Sequence, residues 1–350
     1  MELQTRNRIA WIDIAKAITI LLVVFGHTIR GGLAQSIVYS FHVPTFFFLS
    51  GMTCKTDNVK KRIKNDFLRI MVPYYCFGIL SILIFIILGQ FVADKFELQI
   101  NTSLPRNLWE LLLACPQNGH LKFNLPLWFL PSLFATKLIY YAICKICREK
   151  RLPILIVSFG LAAMGFVYTH FSGPGLIFNL SVSLKMLIFF SLGRSFFQFS
   201  TLKPLRLGRF KSLALGIVLI AVTVLVARFA PKINYSGDDF PNIPAFLVTS
   251  LLGNFGTCFI SMGIDNCKIA EFVGKRTLAI LAMHKFPILL FQTVGPLKGI
   301  LTQYNSLICI ISAVFVSLIS IALCLAAEWI IKRIFPFLLG DFSFLKKKYH

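Results

Sequence analysis

The chain has 350 residues, of which 57% are hydrophobic and only 14% charged, with a mean hydropathy of +0.76. Soluble domains run about 45–50% apolar and about 25% charged, so the composition excludes a water-soluble enzyme and calls for a polytopic membrane protein. The formal charge of +22 would point to nucleic acid in a soluble chain. In a membrane protein, basic residues gather instead in cytoplasmic loops, and no nucleic-acid partner is expected.

Ten apolar runs of about span length are expected near residues 10–29, 36–53, 70–92, 125–144, 154–171, 178–197, 213–230, 243–264, 278–295 and 307–331. The first is charged and lacks a small-residue cleavage site, so it is expected to stay as a span. Alternate assignment of the loops puts 25 Lys and Arg on one side, 7 on the other and 4 within spans, 36 in all. The bias predicts an all-α helical bundle in the plasma (inner) membrane with both termini cytoplasmic. The one long outer loop, 93–124, contains Leu108 to Leu113, which reads as an amphipathic helix at the interface. The nine cysteines show no disulfide framework, and Cys144 and Cys147 lack a second pair to complete a zinc site. No metal is expected.

Candidate chemistry begins in the first span, which carries Asp13, Lys16 and His27. Ionisable groups inside a span are costly and usually face a protein interior or a watery cavity. Lys16 and His27 are eleven residues apart, close to three turns and about 16 Å along the axis, so they share a face. Asp13 lies three residues before Lys16, within side-chain reach. His42 then enters the membrane from the same side as His27, and the two can form an acid/base pair. Pro44 is expected to break the second helix and free carbonyls that need polar partners, so His42 can equally serve as a cap for that break.

The loop from Lys60 to Arg69 is the most basic. Topogenic charge explains most of it, while Arg69, at the start of a span and near Tyr74, is the candidate to grip a phosphorylated ligand. Trp128 opens the fourth span as either an interfacial anchor or a substrate contact. His284 is expected one to two turns inside the ninth span from the cytoplasmic side, as a site residue or as a buried structural histidine. No nucleophile elbow, zinc-protease, Walker or dinucleotide motif is present.

Five stretches in order then resemble one family, the integral-membrane acyltransferases of the acyltransferase-three type. They are Trp11 to His27, Phe41 to Pro44 with Phe47 to Gly51, the basic loop ending in Arg69 with Pro73 and Tyr74, Leu127 to Leu130, and Gly274 to His284. The start of the first span looks closest to the fucose 4-O-acetylase-like subgroup. Lys16 stands where many members have Arg, which removes bidentate contacts. No hydrolase-like domain of the kind some relatives append is seen, so the bundle is expected to complete the transfer itself.

The resemblance implies transfer of an acyl group, usually acetyl, from acyl-coenzyme A to a carbohydrate hydroxyl, free or lipid-linked, in surface-glycan assembly. It implies catalytic roles for His27, Lys16 and Asp13, and binding roles for His42, Ser50, Arg69, Tyr74, Trp128 and His284. The rival from another class is a transporter or flippase of lipid-linked sugars. A polar wall at several depths also suits a permeation path, but no inverted repeat is visible.

Overall fold

A backbone in an apolar medium can satisfy its own hydrogen bonds only as helix or closed barrel. The computed structural model describes residues 9–29, 31–96, 103–117, 120–171, 173, 175–202, 207–293, 297–301 and 306–342, and takes the helical solution. Among the described residues there is no strand, only an isolated bridge between Asn234 and Asp239.

In chain order the helices are α1 (Ala10–Thr28), α2 (Gly32–Tyr39), α3 (His42–Thr53), α4 (Val59–Asp66), α5 (Val72–Phe96) and α6 (Leu104–Leu113). They continue as α7 (Phe129–Ile146), α8 (Arg151–His170), α9 (Leu180–Leu202), α10 (Arg209–Ala227) and α11 (Ile243–Ile264). The chain ends with α12 (Lys268–Gly274), α13 (Thr277–Met283), α14 (Lys285–Thr293), α15 (Leu297–Leu301) and α16 (Leu307–Ile334). Eight stretches among the described residues are long and apolar enough to cross a membrane, and they coincide with eight of the expected spans.

The other two expected spans are each built from a pair of short helices. Residues 36–53 fall on α2 and α3, and residues 278–295 on α13 and α14. The break between α2 and α3 follows from Pro44, whose missing N–H frees the Ser40 carbonyl. That oxygen accepts instead from Thr249 Oγ1 at 3.3 Å and Ser250 Oγ at 3.1 Å. The break between α13 and α14 falls at His284, three residues before Pro287, and was not expected. There the Ala282 carbonyl accepts from Asn124 Nδ2 at 2.8 Å. The third expected span begins earlier than residue 70. The Asn58 side chain caps α4, and a π-helical turn, Phe67–Met71, carries α4 into α5.

Contacts place the ends of the helices. The start of α10 meets the end of α11 through Arg209 Nε to the Gly263 carbonyl, 2.7 Å. Arg276 pairs with Glu328 at 3.2 Å, and Gly274 packs on the Asp13 backbone. These contacts mark one end, which holds the described members of the majority basic set and is called the basic end below. Arg6, Arg8, Lys203, Arg206 and Lys346 to Lys348 of that set lie outside the described residues. At the opposite end, α6 packs on α5 with Asn107, Glu110 and Leu111 buried, and Leu108, Trp109 and Leu112 exposed. Its polar face turns inward, where Glu110 Oε2 accepts from the Leu121 N–H at 2.9 Å. Its outer face carries exposed Leu104, Leu108, Trp109 and Leu112, with Arg106 exposed in the first turn. Cys144 is buried in the core, and both it and Cys147 are free thiols.

Small residues set the closest helix approach, as is usual where lipid supplies no hydrophobic drive between helices. In the α3–α9 crossing, a Cβ on Gly51 would stand 1.9 Å from the Phe190 carbonyl oxygen, and one on Gly193 2.0 Å from that of Phe48. Gly51→Ala should therefore force the two helices apart and cost about 1–3 kcal/mol. The thermal midpoint of the detergent-solubilised protein checks this, with Gly160→Ala, a site with nothing within 4 Å, expected to leave it unchanged.

Candidate functional site

Three of the helix interruptions carry histidines. His27 is one residue from the end of α1, His42 is the first residue of α3, and His284 occupies the break between α13 and α14. The end of α1 leaves carbonyls without helical partners, and two glutamines from elsewhere satisfy them. Gln35 Nε2 donates to the Gly26 and Ile29 carbonyls at 2.8 and 2.7 Å. Gln292 Nε2 donates to those of His27 and Thr28 at 3.0 and 2.7 Å. The backbone that carries His27 is thereby fixed from both sides.

The rings form a chain. The centroids of His27 and His284 are 5.2 Å apart, those of His27 and Tyr39 6.2 Å, and those of Tyr39 and His42 4.9 Å. His42 is also 5.9 Å from Tyr235, which lies near-parallel to Trp128 at 6.4 Å. His27, Tyr39, His42, Trp128, Lys232 and Tyr235 line a cavity of about 450 Å³. Lys232 and Asn234, both exposed, mark its mouth on the loop after α10, away from the basic end.

The histidines differ in how they are held. His42 Nδ1 donates to the Val38 carbonyl at 2.7 Å, and His284 Nδ1 to that of Ile280 at 2.9 Å. A carbonyl oxygen only accepts, so both rings carry the proton on Nδ1 and leave Nε2 as a lone pair. His284 is fully buried, and its Nε2 has no hydrogen-bond partner among the described residues. The imidazole of His27 makes no hydrogen bond among the described residues and faces the cavity. It is free to act on whatever occupies that space, with an unpartnered buried acceptor beside it.

The loop over the cavity, residues 231–241, has its own anchors. Asn234 and Asp239 exchange backbone bonds of 3.0 and 2.9 Å. The Tyr235 hydroxyl donates to the Tyr39 carbonyl at 2.7 Å, and burial holds that phenol well above its usual pKa, so it remains a donor. Asp238 pairs with the fully buried Lys185 of α9, and Thr169 donates to its other oxygen at 2.8 Å.

His27, His42 and Trp128, all expected from the sequence, meet at the cavity, and His284 joins them through its contact with His27. His42 does both of the things expected of it: it caps a carbonyl at the helix break and lines the cavity. Trp128 is 6% exposed, too buried for an anchor in the lipid interface. Asp13 and Lys16 pair with each other at 3.5 Å, about four and three turns down α1 from His27, and do not line the cavity. Ser50 lies two turns along α3 from His42 and is half-buried. Arg69 is exposed on the π-helical turn, and Tyr74 is buried with its hydroxyl donating to the Leu111 carbonyl at 2.7 Å. Neither of these two lines the cavity. The sequence reading missed Tyr39, Lys232 and Tyr235. Tyr39 has a faint signal, lying three residues before His42.

The acyltransferase-3 family model, an acyltransferase domain, matches residues 9–329. The chain belongs to this family. It is a multi-pass membrane acyltransferase, as the resemblance of its motifs implies. The match runs from α1 into α16 and so includes every residue of the cavity. No curated protein and no solved structure matches the chain.

Because Tyr74 spends its hydroxyl on α6, Tyr74→Phe should cost this acyltransferase about 1–3 kcal/mol of stability through the unsatisfied Leu111 carbonyl. Acyl-donor turnover per folded molecule should stay within about twofold of wild type by the same structural reading. Thermal unfolding and a thiol-release assay on one preparation separate the two effects.

Proposed function

We propose that this acyltransferase moves an acyl group, acetyl in the simplest case, from acyl-coenzyme A to a hydroxyl of a surface glycan or its lipid-linked precursor. The observation that carries the reading is His27: an imidazole with no hydrogen bond among the described residues, facing a cavity of suitable size for a sugar unit, with the bare Nε2 of His284 at its side. A sugar hydroxyl is a poor nucleophile at neutral pH. His27 takes its proton as the oxygen attacks the thioester carbonyl, the C–S bond breaks, and the proton passes to the departing thiolate. His284, held by the Ile280 carbonyl, offers its lone pair to the imidazolium formed in between.

The donor enters from the basic end, which the positive-inside bias assigns to the cytoplasm. Arg62 is engaged by Asp57 at 2.7 and 2.9 Å. That leaves exposed Lys60, Lys61, Lys64 and Arg69 to receive the nucleotide phosphates of the donor. Asp13 and Lys16 lie between this face and His27 and orient the thioester arm. The acceptor enters at the opposite end, through the mouth beside Lys232. A donor from one side thus meets an acceptor from the other, in the inner membrane of the cell.

The test is deletion of the gene and mass spectrometry of the surface glycans, with wild-type and His27→Ala copies returned. Loss of one acetyl per repeat, restored by wild type only, is the expected result. In a thiol-release assay His27→Ala should fall by about 10²–10⁴-fold, the usual contribution of a general base, with its thermal midpoint unchanged. Unaltered acetylation with glycan precursor stranded inside the cell would favour a flippase instead.

A further inference from the structure

Resting on the reading of the cavity as an acceptor site, the charge and shape of its mouth say more about the acceptor. Among the described residues no carboxylate side chain lines the cavity, and Lys232 is its lysine. The Nζ of Lys232 donates to Gln35 Oε1 at 2.8 Å and stands 4.9 Å over the ring of Tyr39. Gln35 is a neutral partner, and its amide nitrogen is already committed to the end of α1. An ammonium group has three donors, so two remain for something else.

The loop carries two carboxylates, Asp238 and Asp239, and neither forms an ion pair with Lys232 among the described residues. Asp239 is exposed, and the fold removes Asp238. Both of its oxygens are taken, one by buried Lys185 and one by Thr169. Lys185 and Lys232 therefore have different fates. Lys185 is paired internally and sealed under Phe166 and Phe240, whereas Lys232 is held in place by an amide and an aromatic face and left exposed. A cation positioned in this way, with its charge unmatched, suits an anion from outside. The near-parallel faces of Trp128 and Tyr235 provide flat apolar ground for a pyranose ring, and Tyr39 links the Lys232 position to His27.

We propose that the acceptor carries an anionic group, a carboxylate or a phosphate, and that Lys232 recognises it at the mouth of the cavity. Lys232 is thus a specificity-determining residue: it selects and orients the acceptor, and His27 acts on the hydroxyl. The carboxylate belongs to an acidic sugar, and the phosphate to a glycosyl phosphate such as the head of a lipid-linked precursor.

Equilibrium binding tests this without any acyl donor, so the outcome is independent of the acyl-transfer reading, which the thiol-release assay judges. The full chain in lipid nanodiscs is titrated with methyl β-glucuronide, methyl β-glucoside and glucose 1-phosphate, followed by tryptophan fluorescence and calorimetry. At least one anionic sugar should bind about tenfold or more tighter than the neutral glucoside, with the advantage shrinking as salt rises. A preference for the glucuronide assigns the carboxylate, and a preference for glucose 1-phosphate the phosphate. Lys232→Met should abolish the advantage, bringing the anionic sugars to the affinity of the glucoside, and Lys232→Arg should retain most of it. Equal affinity for all three sugars, binding of none, or an equal loss of all three in Lys232→Met overturns the proposal.

Discussion

A carbonyl freed inside an apolar medium has no water to turn to, and the places where this protein frees carbonyls are the places where its histidines sit. Leaving such a group unpaired would cost several kcal/mol. Each is satisfied by a side chain from outside the helix that carries it. Gln35 and Gln292 serve the end of α1, Thr249 and Ser250 the Ser40 carbonyl, and Asn124 that of Ala282. Irregular backbone next to a polar cavity is thereby tied to α11, α14 and the turn before α7. The breaks that place His42 and His284 off regular helix also position them around His27.

The charges inside the bundle follow the same logic, one pair half-buried and one buried. Lys137 and Asp66 pair near the basic end, with the Tyr141 hydroxyl donating to the second Asp66 oxygen at 2.7 Å. Lys185 and Asp238 pair near the opposite end, with Thr169 completing the set. Removing one partner of the Lys185–Asp238 pair costs about 3–5 kcal/mol, because the other is left as a buried charge. The second pair does more than fill space. It fastens the loop that carries Lys232 and Tyr235, so the roof of the cavity is set by an ion pair outside the cavity wall.

Much of this was legible in the chain. The apolar runs mapped onto helices because a span must be long and greasy wherever it sits, and eight such helices appear where expected. Pro44 announced its break, since a missing N–H frees a carbonyl whatever surrounds it. His27, His42 and Trp128 stood out as polar or amphipathic groups within apolar runs. The break at His284 was hidden in an equally apolar run, although Pro287 was there to be read. Tyr39, Lys232 and Tyr235 looked ordinary: one is a tyrosine at a helix end, one a loop tyrosine and one a minority-side loop lysine. Their importance lies in what the fold brings against them, which no local pattern records.

The amino-acid sequence by itself determined the solvent, the helical class, the family and the histidine on α1, because hydropathy, charge bias and ordered motifs act locally along the chain. Tertiary structure alone decided that His284 meets His27 and that Asp13 and Lys16 stand apart from the cavity. It alone decided that Asp238 turns to Lys185 and leaves Lys232 for the mouth. These are long-range pairings between residues up to 257 positions apart, from His27 to His284. They depend on which helices pack together, and that depends on the close approach of small residues and the demand that every freed carbonyl find a donor.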